Sequence, residues 1–323
     1  MRVLIGAIFL VLQQGLSAQL DLKFEVIKSM PLGTVGFANA QSENNLYVIG
    51  GVSFNKFYTS NVQLYDNKLG KWQNFSLDAI PKQSYSSAIY VDEYKGIVLA
   101  GGVKQNGNSA ILIDEIRMIY VKDFKVDRLG TIPTPAKNLG IALDKSIIYL
   151  YGGIIKKRVS TVGPINYTFS KKFYAYDLTN GLLDELPDLP IAMETKGGII
   201  DNHLYILGGF DSKPLTSIWK YAINNKIWEK AMELDIPSSS NAIAQYGKFF
   251  VLVAGNYNSQ LVLYDTENNV ATYFTTNVQA RNIAASIIGK ELHLYGGINP
   301  GGGISVSAIH YKIPLSEVIN NSN

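Results

Sequence analysis

One short motif recurs through this chain, an apolar strand that ends in a glycine pair. The six copies close at Gly51, Gly102, Gly153, Gly209, Gly255 and Gly297, and Ala254 replaces the first glycine of the fifth copy. The intervals between these glycines are 51, 51, 56, 46 and 42 residues. That spacing suits a unit of four β-strands and exceeds a leucine-rich or helical repeat. The repeat therefore predicts a regular array of small β-sheets.

Each copy carries a second mark, a tyrosine near the end of a later alternating strand. The six tyrosines are Tyr65, Tyr120, Tyr176, Tyr221, Tyr264 and Tyr311. In the first and fourth copies a tryptophan follows seven residues later, at Trp72 and Trp228. The composition agrees with buried strands and glycine-bearing turns, since 47% of the residues are hydrophobic, 17% are charged, and 29 are glycine.

A glycine pair, then Tyr or Tyr-Asp, then Trp, in repeats of about 50 residues, resembles the kelch repeat. The resemblance covers nearly all of the chain after residue 18. It implies an all-β, six-bladed kelch-type β-propeller over residues 19–314, with four antiparallel strands in each blade. We interpret the repeat marks as structural: glycine allows close approach of neighbouring blades, and the aromatic rings fill the wedge between sheets.

The sixth copy lacks room for a fourth strand, because only twelve residues follow Tyr311 and Pro314 interrupts them. The segment after residue 22 resembles the fourth strands of copies one and four. We therefore predict that Phe24–Lys28 pairs with a strand at Val306–Tyr311 and completes the sixth blade, since ring closure leaves no long exposed edge. Residues 315–323 are then a C-terminal tail.

The first eighteen residues have the pattern of a signal peptide. Arg2 precedes an apolar run from Val3 to Leu12, which is too short to span a bilayer, and small residues lead to Ala18. We expect a secreted or periplasmic monomer with no membrane span after signal removal. The chain has no cysteine, so disulfides and thiolate metal sites are excluded. A net charge of +3 is too small for a nucleic-acid partner.

The loops that follow the glycine pairs are the expected ligand face, because they share one end of the strands. The aromatic candidates there are Tyr167, Phe210 and Tyr257, and the basic candidates Lys156, Lys157 and Arg158 occupy the longest loop, Ile154–Ser170. Aromatic rings and cations suit a glycan, including an acidic one, or a protein ligand. The alternative is that these rings cover strand ends and the cations keep the loop solvated.

A second set of candidates comes from aligning the copies on their glycine pairs. Lys137, Glu194, Ser240 and Arg281 then fall at equivalent positions where each first strand meets the central channel. We term these the lead-in positions. In the family that the chain resembles, residues there often contact a ligand, so Lys137 and Arg281 would hold a carboxylate and Glu194 would accept a hydrogen bond or act as a general acid or base. The alternative is that Glu194 pairs with a neighbouring cation.

No cofactor or metal is expected. The copper chemistry of galactose oxidase, which also uses kelch blades, needs a cysteine that this chain lacks. The three histidines, His203, His293 and His310, lie on predicted strands far apart in the repeat, which argues against a histidine metal site.

Two functions remain. The first is an exported, non-enzymatic module that binds a glycan or protein. The second, by resemblance to exported kelch proteins that interconvert sialic acid anomers, is a sugar epimerase of the N-acetylneuraminate type, with Glu194 as its acid or base.

Overall fold

The computed structural model describes residues 20–55, 57–107, 109–158, 166–239, 242–253, 258–300 and 305–320. Within these ranges the protein consists of β-strands and one short helix, so the predicted all-β class is confirmed.

The first part of the chain contains β1 (Leu20–Leu22), β2 (Glu25–Ile27), β3 (Thr34–Val35), β4 (Ala38–Gln41), β5 (Asn45–Ile49), β6 (Val52–Ser53), β7 (Asn61–Asp66), β8 (Lys71–Ser76), β9 (Gln83–Ser84), β10 (Ser87–Val91), β11 (Gly96–Ala100), β12 (Val103–Asn106), β13 (Ser109–Leu112), β14 (Glu115–Tyr120) and β15 (Val126–Thr131). The middle part contains β16 (Gly140–Asp144), β17 (Ile147–Tyr151), β18 (Ile154–Arg158), β19 (Asn166–Phe169), β20 (Phe173–Asp177), β21 (Leu183–Glu185), β22 (Gly197–Ile200), β23 (His203–Phe210), β24 (Pro214–Ala222) and β25 (Ile227–Ser238). The last part contains β26 (Ala242–Tyr246), β27 (Phe249–Val253), β28 (Gln260–Asp265), β29 (Val270–Thr276), β30 (Ala284–Ile288), β31 (Glu291–Tyr295), β32 (His310–Pro314) and α1 (Leu315–Ile319).

Each repeat copy forms a sheet with four antiparallel strands. Sheet 1 comprises β4, β5, β7 and β8; sheet 2 comprises β10, β11, β14 and β15; sheet 3 comprises β16, β17, β20 and β21; sheet 4 comprises β22, β23, β24 and β25; sheet 5 comprises β26, β27, β28 and β29; and sheet 6 comprises β30, β31, β32 and β2. Three smaller pairings, β3 with β6, β9 with β12 and β13, and β18 with β19, involve the segments that follow the glycine pairs. This arrangement is consistent with a kelch-type propeller.

Buried apolar side chains join each sheet to its neighbours. Six hydrophobic clusters are present among the described residues, one between each pair of successive sheets and one between sheet 6 and sheet 1. The second strand of each sheet is packed on both faces; in β17, Ile148, Leu150 and Tyr151 are completely buried. A strand enclosed on both faces needs a continuous apolar run, which explains why each copy reads as one before its glycine pair.

The glycine pairs allow one sheet to touch the next. Gly152 has a φ of +63°, and a Cβ there would lie 2.5 Å from the carbonyl oxygen of Met193 in the following copy. The N–H of Gly153, at a φ of +91°, donates a 2.9 Å hydrogen bond to that same oxygen. Only glycine combines these backbone angles with so close an approach. The same bond recurs from Gly51 to Gln83, from Gly102 to Ala136, and from Gly297 to Thr34 near the start of the chain.

The N-terminal segment contacts two sheets in turn. β1 lies parallel to β29 at the edge of sheet 5, with Leu20 opposite Phe274, and this pairing was not predicted. β2 then pairs antiparallel with β32, with Val26 opposite Tyr311. The predicted partner strand, Val306–Tyr311, is displaced, because the segment before residue 310 folds back on the loop after Gly297 and Val306 forms only an isolated bridge with Ile298.

Between β1 and β2 the chain is fixed by a single amide side chain. Asn277 accepts a 2.8 Å hydrogen bond from the N–H of Phe24 and donates a 2.9 Å bond to its carbonyl oxygen. The ring of Phe24 is 4% exposed and belongs to the cluster between sheets 5 and 6. Asn277 therefore attaches the N-terminal segment at the junction of these two sheets.

The two ends of the chain bear on further predictions. The predicted signal peptide, residues 1–18, lies outside the described residues. The predicted tail begins with α1, whose Leu315 and Val318 are buried in the cluster between sheets 5 and 6. No helix in the described ranges has the length and apolar character to cross a membrane.

Replacing Asn277 with alanine removes both hydrogen bonds to Phe24. We expect Asn277→Ala to lower the free energy of unfolding by about 1–3 kcal/mol, because two part-buried backbone groups lose their partner. Urea denaturation followed by tryptophan fluorescence measures this loss. The control is Asn225→Ala in an exposed turn; equal stabilities for the two variants would contradict the attachment by Asn277.

Candidate functional site

A cavity lies where the first strands of the sheets converge. Its volume is about 230 Å³, and every one of the six sheets contributes lining residues. The lining is mostly small and polar, with Asn39, Ser87 and Ser239 among its members, and Glu194 and Lys196 are its charged groups. A cavity of this lining can hold a polar group of a ligand or ordered water.

The predicted equivalence of three lead-in residues is confirmed. Lys137, Glu194 and Arg281 each form an isolated β-bridge with the residue that directly follows a glycine pair. In each bridge both backbone hydrogen bonds are present, with distances of 2.8–3.1 Å. The three charged side chains therefore start from matching backbone positions in sheets 3, 4 and 6. Ser240, the fourth predicted residue, lies outside the described residues.

Glu194 is held by the neighbouring copy. Asn138 Nδ2 donates a 2.6 Å hydrogen bond to Glu194 Oε2. Burial raises the pKa of the Glu194 carboxyl, and the Asn138 bond together with the charges of Lys137, Lys196 and Arg281 opposes that rise. The net upward direction means that loss of water outweighs the nearby positive charges.

Lys196 is the cationic counterpart within the cavity. Lys196 is exposed by surface area, and it lies in the cavity that the six sheets line. Burial within the cavity lowers the pKa of Lys196, and the charge of Glu194 opposes the shift. Each group favours the charged form of the other, which opposes the effect of burial on both pKa values.

Lys137 is positioned by two tyrosine rings. Its Nζ lies 5.0 Å from the ring centroid of Tyr85 and 5.3 Å from that of Tyr167. Cation–π contacts of this length hold the ammonium beside Tyr85, which lines the cavity, and we call the surface formed by Lys137, Tyr85 and Tyr167 the mouth of the cavity. Tyr167 was predicted as a ligand contact, and the structure places it beside Lys137.

Tyr85 is the residue that the sequence analysis missed. Its φ of +57° is in the left-handed region, where a bulky side chain is uncommon. Its N–H donates a 2.5 Å bond to the Gly36 carbonyl, and its own carbonyl accepts a 2.8 Å bond from Asn138. Gly36, Asn138 and Asn282 are left-handed at corresponding points of other copies. When the copies are aligned, glycine or asparagine therefore occupies this position in the other copies named, and tyrosine in the second. That departure was the sequence signal by which Tyr85 could have been found.

The hydroxyl of Tyr85 is close to charged and phenolic groups from other sheets. Burial raises its pKa; Tyr58, Tyr167 and Glu194 add to the rise, and Arg281 opposes it. These influences come from sheets 1, 3, 4 and 6. Tyr85 therefore interacts electrostatically with the predicted charged residues Glu194 and Arg281 and with the predicted aromatic residue Tyr167.

An aromatic surface extends from this point over sheets 3 and 4. The rings of Tyr167 and Phe169 have centroids 6.2 Å apart, and Phe169 meets Phe210 edge-on at 5.9 Å. Phe169 thus connects the two predicted aromatic contacts. Lys156, Lys157 and Arg158 belong to β18, which pairs with β19 and puts Lys157 opposite Tyr167 in the backbone register. Their side chains and Tyr257 lie outside the described residues.

The prediction that the histidines are far apart is wrong for two of them. His293 Nδ1 lies 2.9 Å from His310 Nε2, because β31 and β32 are neighbouring strands and the two residues are diagonal across them. Among the described residues, no group of three or more His, Cys, Asp or Glu side chains is arranged to hold a metal ion.

Replacing Asn138 with glycine tests the control of Glu194. Glycine keeps the left-handed backbone at residue 138 and removes the hydrogen bond to the carboxylate, so we expect Asn138→Gly to raise the pKa of Glu194 further. Carbon-13 NMR titration of labelled glutamate measures the shift. Asn282→Gly, at the corresponding place before sheet 6, is the control and should leave the Glu194 resonance unchanged; equal titrations in all three proteins would contradict this role of Asn138.

Comparison with known proteins bears on the repeat. The family model described as the kelch motif matches residues 196–234, which span most of sheet 4. This is the copy that carries the glycine pair at Gly208 and Gly209, Tyr221 and Trp228.

Distant viral relatives extend the likeness to most of the chain. The kelch repeat and BTB domain-containing protein 1 of cowpox virus (strain Brighton Red) is 24% identical over 263 residues, and the protein of the same name in horsepox virus is 24% identical over 266. The kelch repeat and BTB domain-containing protein A55 of vaccinia virus (strain Western Reserve) is also 24% identical. Each match covers 76% of this chain and 43% of the relative, so the chain spans less than half the length of these curated relatives.

Kelch repeats form protein-interaction modules, and that is the level of function these comparisons support. The matched motif in sheet 4 and the viral relatives agree with the glycine, tyrosine and tryptophan marks, and they support a kelch-repeat family: the chain contains a kelch motif in sheet 4 and is similar to kelch-repeat proteins over most of its length.

Proposed function

We propose that this chain is an exported, non-enzymatic interaction module that captures an acidic segment of a protein at the mouth of its cavity. The observation that carries the proposal is the position of Lys137 between the rings of Tyr85 and Tyr167. Arg281 starts from the corresponding backbone position in sheet 6. Two cations beside aromatic surface suit a carboxylate attached to an apolar chain.

The proposal assumes a closed ring of six blades. Two observations support this. The glycine N–H bonds run from sheet to sheet and return from Gly297 to Thr34, and a hydrophobic cluster joins sheet 6 to sheet 1. We propose that β2 serves as the fourth strand of the sixth blade and that the lead-in positions face one cavity.

We also propose a class of ligand and a location for the protein. The aromatic surface from Tyr167 to Phe210 also suits a sugar ring, so an acidic glycan is the competing ligand class. Export rests on the signal-like residues 1–18, and action as a monomer outside the cell or in the periplasm follows from export and from the propeller reading.

Selection from ligand libraries separates protein from glycan. The immobilised full chain is panned with a phage-displayed random peptide library and applied in parallel to a glycan array. We expect enriched peptides rich in Asp and Glu, and we expect Lys137→Met and Arg281→Met each to weaken their binding at least about tenfold, which corresponds to about 1.4 kcal/mol.

The matched control is Lys122→Met. Lys122 is an exposed lysine in the turn between β14 and β15, at the other end of the strands, so its loss should leave binding unchanged. Peptides that bind equally to wild type and both mouth variants would contradict the proposed site. Enrichment of acidic glycans without peptides would replace the protein ligand with a sugar.

One observation favours the alternative of a sialic acid epimerase. Glu194 has a raised pKa and lies at the cavity beside Lys196, as a general acid or base would. The relatives named above are described as kelch repeat and BTB domain-containing proteins, and none of them is described as an isomerase. We expect the chain to leave the rate of anomer equilibration of N-acetylneuraminate unchanged in proton NMR; acceleration that is lost in Glu194→Gln would establish the enzyme instead.

A further inference from the structure

A buried histidine pair lies at the interface between sheet 6 and sheet 1. His293 on β31 and His310 on β32 are both 0% exposed, and their facing nitrogens are 2.9 Å apart. Trp72 from sheet 1 donates a 3.2 Å hydrogen bond from its indole Nε1 to His310 Nδ1. A chain of hydrogen bonds therefore runs from sheet 1 into the interior of sheet 6.

The indole N–H can only donate, so it determines which nitrogens of the pair carry protons. His310 Nδ1 must accept, and the proton of His310 lies on Nε2. That N–H then donates to His293 Nδ1, which places the proton of His293 on Nε2. His293 Nε2 is buried without a hydrogen-bond partner and lies 3.8 Å from Glu291 Oε2. Both rings are therefore neutral and of the Nε2–H form.

Protonation of either ring breaks this chain. A proton on His310 Nδ1 would face the indole N–H, and a proton on His293 Nδ1 would face the N–H of His310, so each puts two donors against each other. The charge would also be enclosed among aromatic rings, since Tyr65 meets His310 edge-on at 4.7 Å and Tyr295 is at 5.8 Å. A buried charge is strongly unfavourable, and Glu291 offsets that cost only in part and only for His293.

The charged groups that face the pair come from both sheets. Glu291 and Lys312 form a 2.8 Å ion pair beside it, and Tyr65 and Tyr295 are the titratable groups that pack on it. Further out, Glu25 on β2 acts on Lys312, and Asp66 acts on Tyr65. Lys312 opposes a positive charge on either ring, whereas Glu291 favours one on His293.

Burial is the larger effect. It lowers the pKa of His293 to about 4 and, with the neighbouring His293 and Lys312, that of His310 to about 3. In the unfolded chain a histidine has a pKa of about 6.5. The unfolded state therefore binds more protons, and the folded state loses stability as the pH falls from about 6.5 towards about 4.

The interface between sheets 3 and 4 has the same arrangement of rings as the interface between sheets 6 and 1, with tyrosine and phenylalanine in place of the two histidines. Tyr151 pairs with Phe173 as Tyr295 pairs with His310. Phe173 meets Tyr221 edge-on at 4.9 Å and Trp228 at 5.6 Å. His310 meets Tyr65 and Trp72 at 4.7 and 5.5 Å.

His293, the second member of the pair, also has a counterpart in the interface between sheets 3 and 4. Tyr149 lies three residues before its glycine pair, as His293 does, and its ring is 5.8 Å from Phe173. The two interfaces thus share one geometry, and a titratable pair replaces Tyr149 and Phe173 in one of them.

We propose that the interface between sheets 6 and 1 is an acid-sensitive joint, held together by the neutral His293–His310 pair and opened when the pair takes up a proton. The joint lies where β2 pairs with β32, so its opening releases the N-terminal segment and the contacts between the first and last repeat copies. The other interface with this geometry, between sheets 3 and 4, has no histidine at these positions and stays closed.

The structure itself supplies the variant that tests the joint. In His293→Tyr/His310→Phe the pair is replaced by the residues found between sheets 3 and 4. Chemical unfolding is measured for both proteins from pH 8 to pH 4. We expect the unfolding constant of wild type, relative to that of the variant, to rise by up to about 100-fold for each pH unit between about 6 and 4, because two additional protons bind on unfolding. Parallel pH dependences would overturn the proposal.

Two measurements on the wild-type chain keep the test decisive if the variant fails to fold. Nitrogen-15 NMR of labelled histidine at pH 7.5 should find both buried rings in the Nε2–H form, and neither should titrate between pH 8 and 5; an Nδ1–H form or titration near 6.5 would overturn the pair as drawn. Hydrogen exchange at pH 5, corrected for intrinsic rates, should increase in β2, β8 and β32 relative to β20 and β24. Equal increases at both interfaces would overturn a localised joint.

Discussion

The rest of the structure depends on one contact, the hydrogen bond that the second glycine of a pair donates to a carbonyl near the start of the next sheet, as Gly51, Gly102, Gly153 and Gly297 do. It requires a positive φ and a backbone with no Cβ, because a side chain at Gly153 would meet the Lys137 carbonyl oxygen at 2.8 Å. Each bond sets the distance between two sheets, and the hydrophobic clusters fill the space that this distance leaves. The glycine pair thus allows successive β-sheets to pack side by side.

That same bond positions the candidate site. Immediately after three of the glycine pairs the chain bridges to a lead-in residue, so backbone contacts fix the positions from which the side chains of Lys137, Glu194 and Arg281 extend. The site is then refined by contacts between copies: Asn138 holds Glu194, and Tyr85 holds Lys137. Because the backbone of the repeat is fixed while the side chains at the lead-in positions differ, one kind of repeat can bind different ligands.

The features that recur in every repeat copy could be predicted from the sequence. The glycine pairs, the tyrosines and the equivalence of the lead-in positions follow from periodicity, and the pairing of an N-terminal strand with the last copy followed from counting strands. The parallel pairing of β1, the left-handed Tyr85 and the contact of His293 with His310 were missed. Each depends on a neighbour distant in sequence or on a departure from the repeat, and neither leaves a periodic signal.

The attachment of Phe24 by Asn277 has a consequence for the order of events as the chain is made. β2 cannot find its partner until residues 310–312 have left the ribosome, so nearly the whole chain must be synthesised before its first strands can be placed. Closing so long a loop is slow, and contacts of this kind lower folding rates. Until β1 and β2 have paired with β29 and β32, the outer edges of β29 and β32 and the ring of Phe24 are available to other chains, which makes the interval before closure the period in which this protein most needs protection from aggregation.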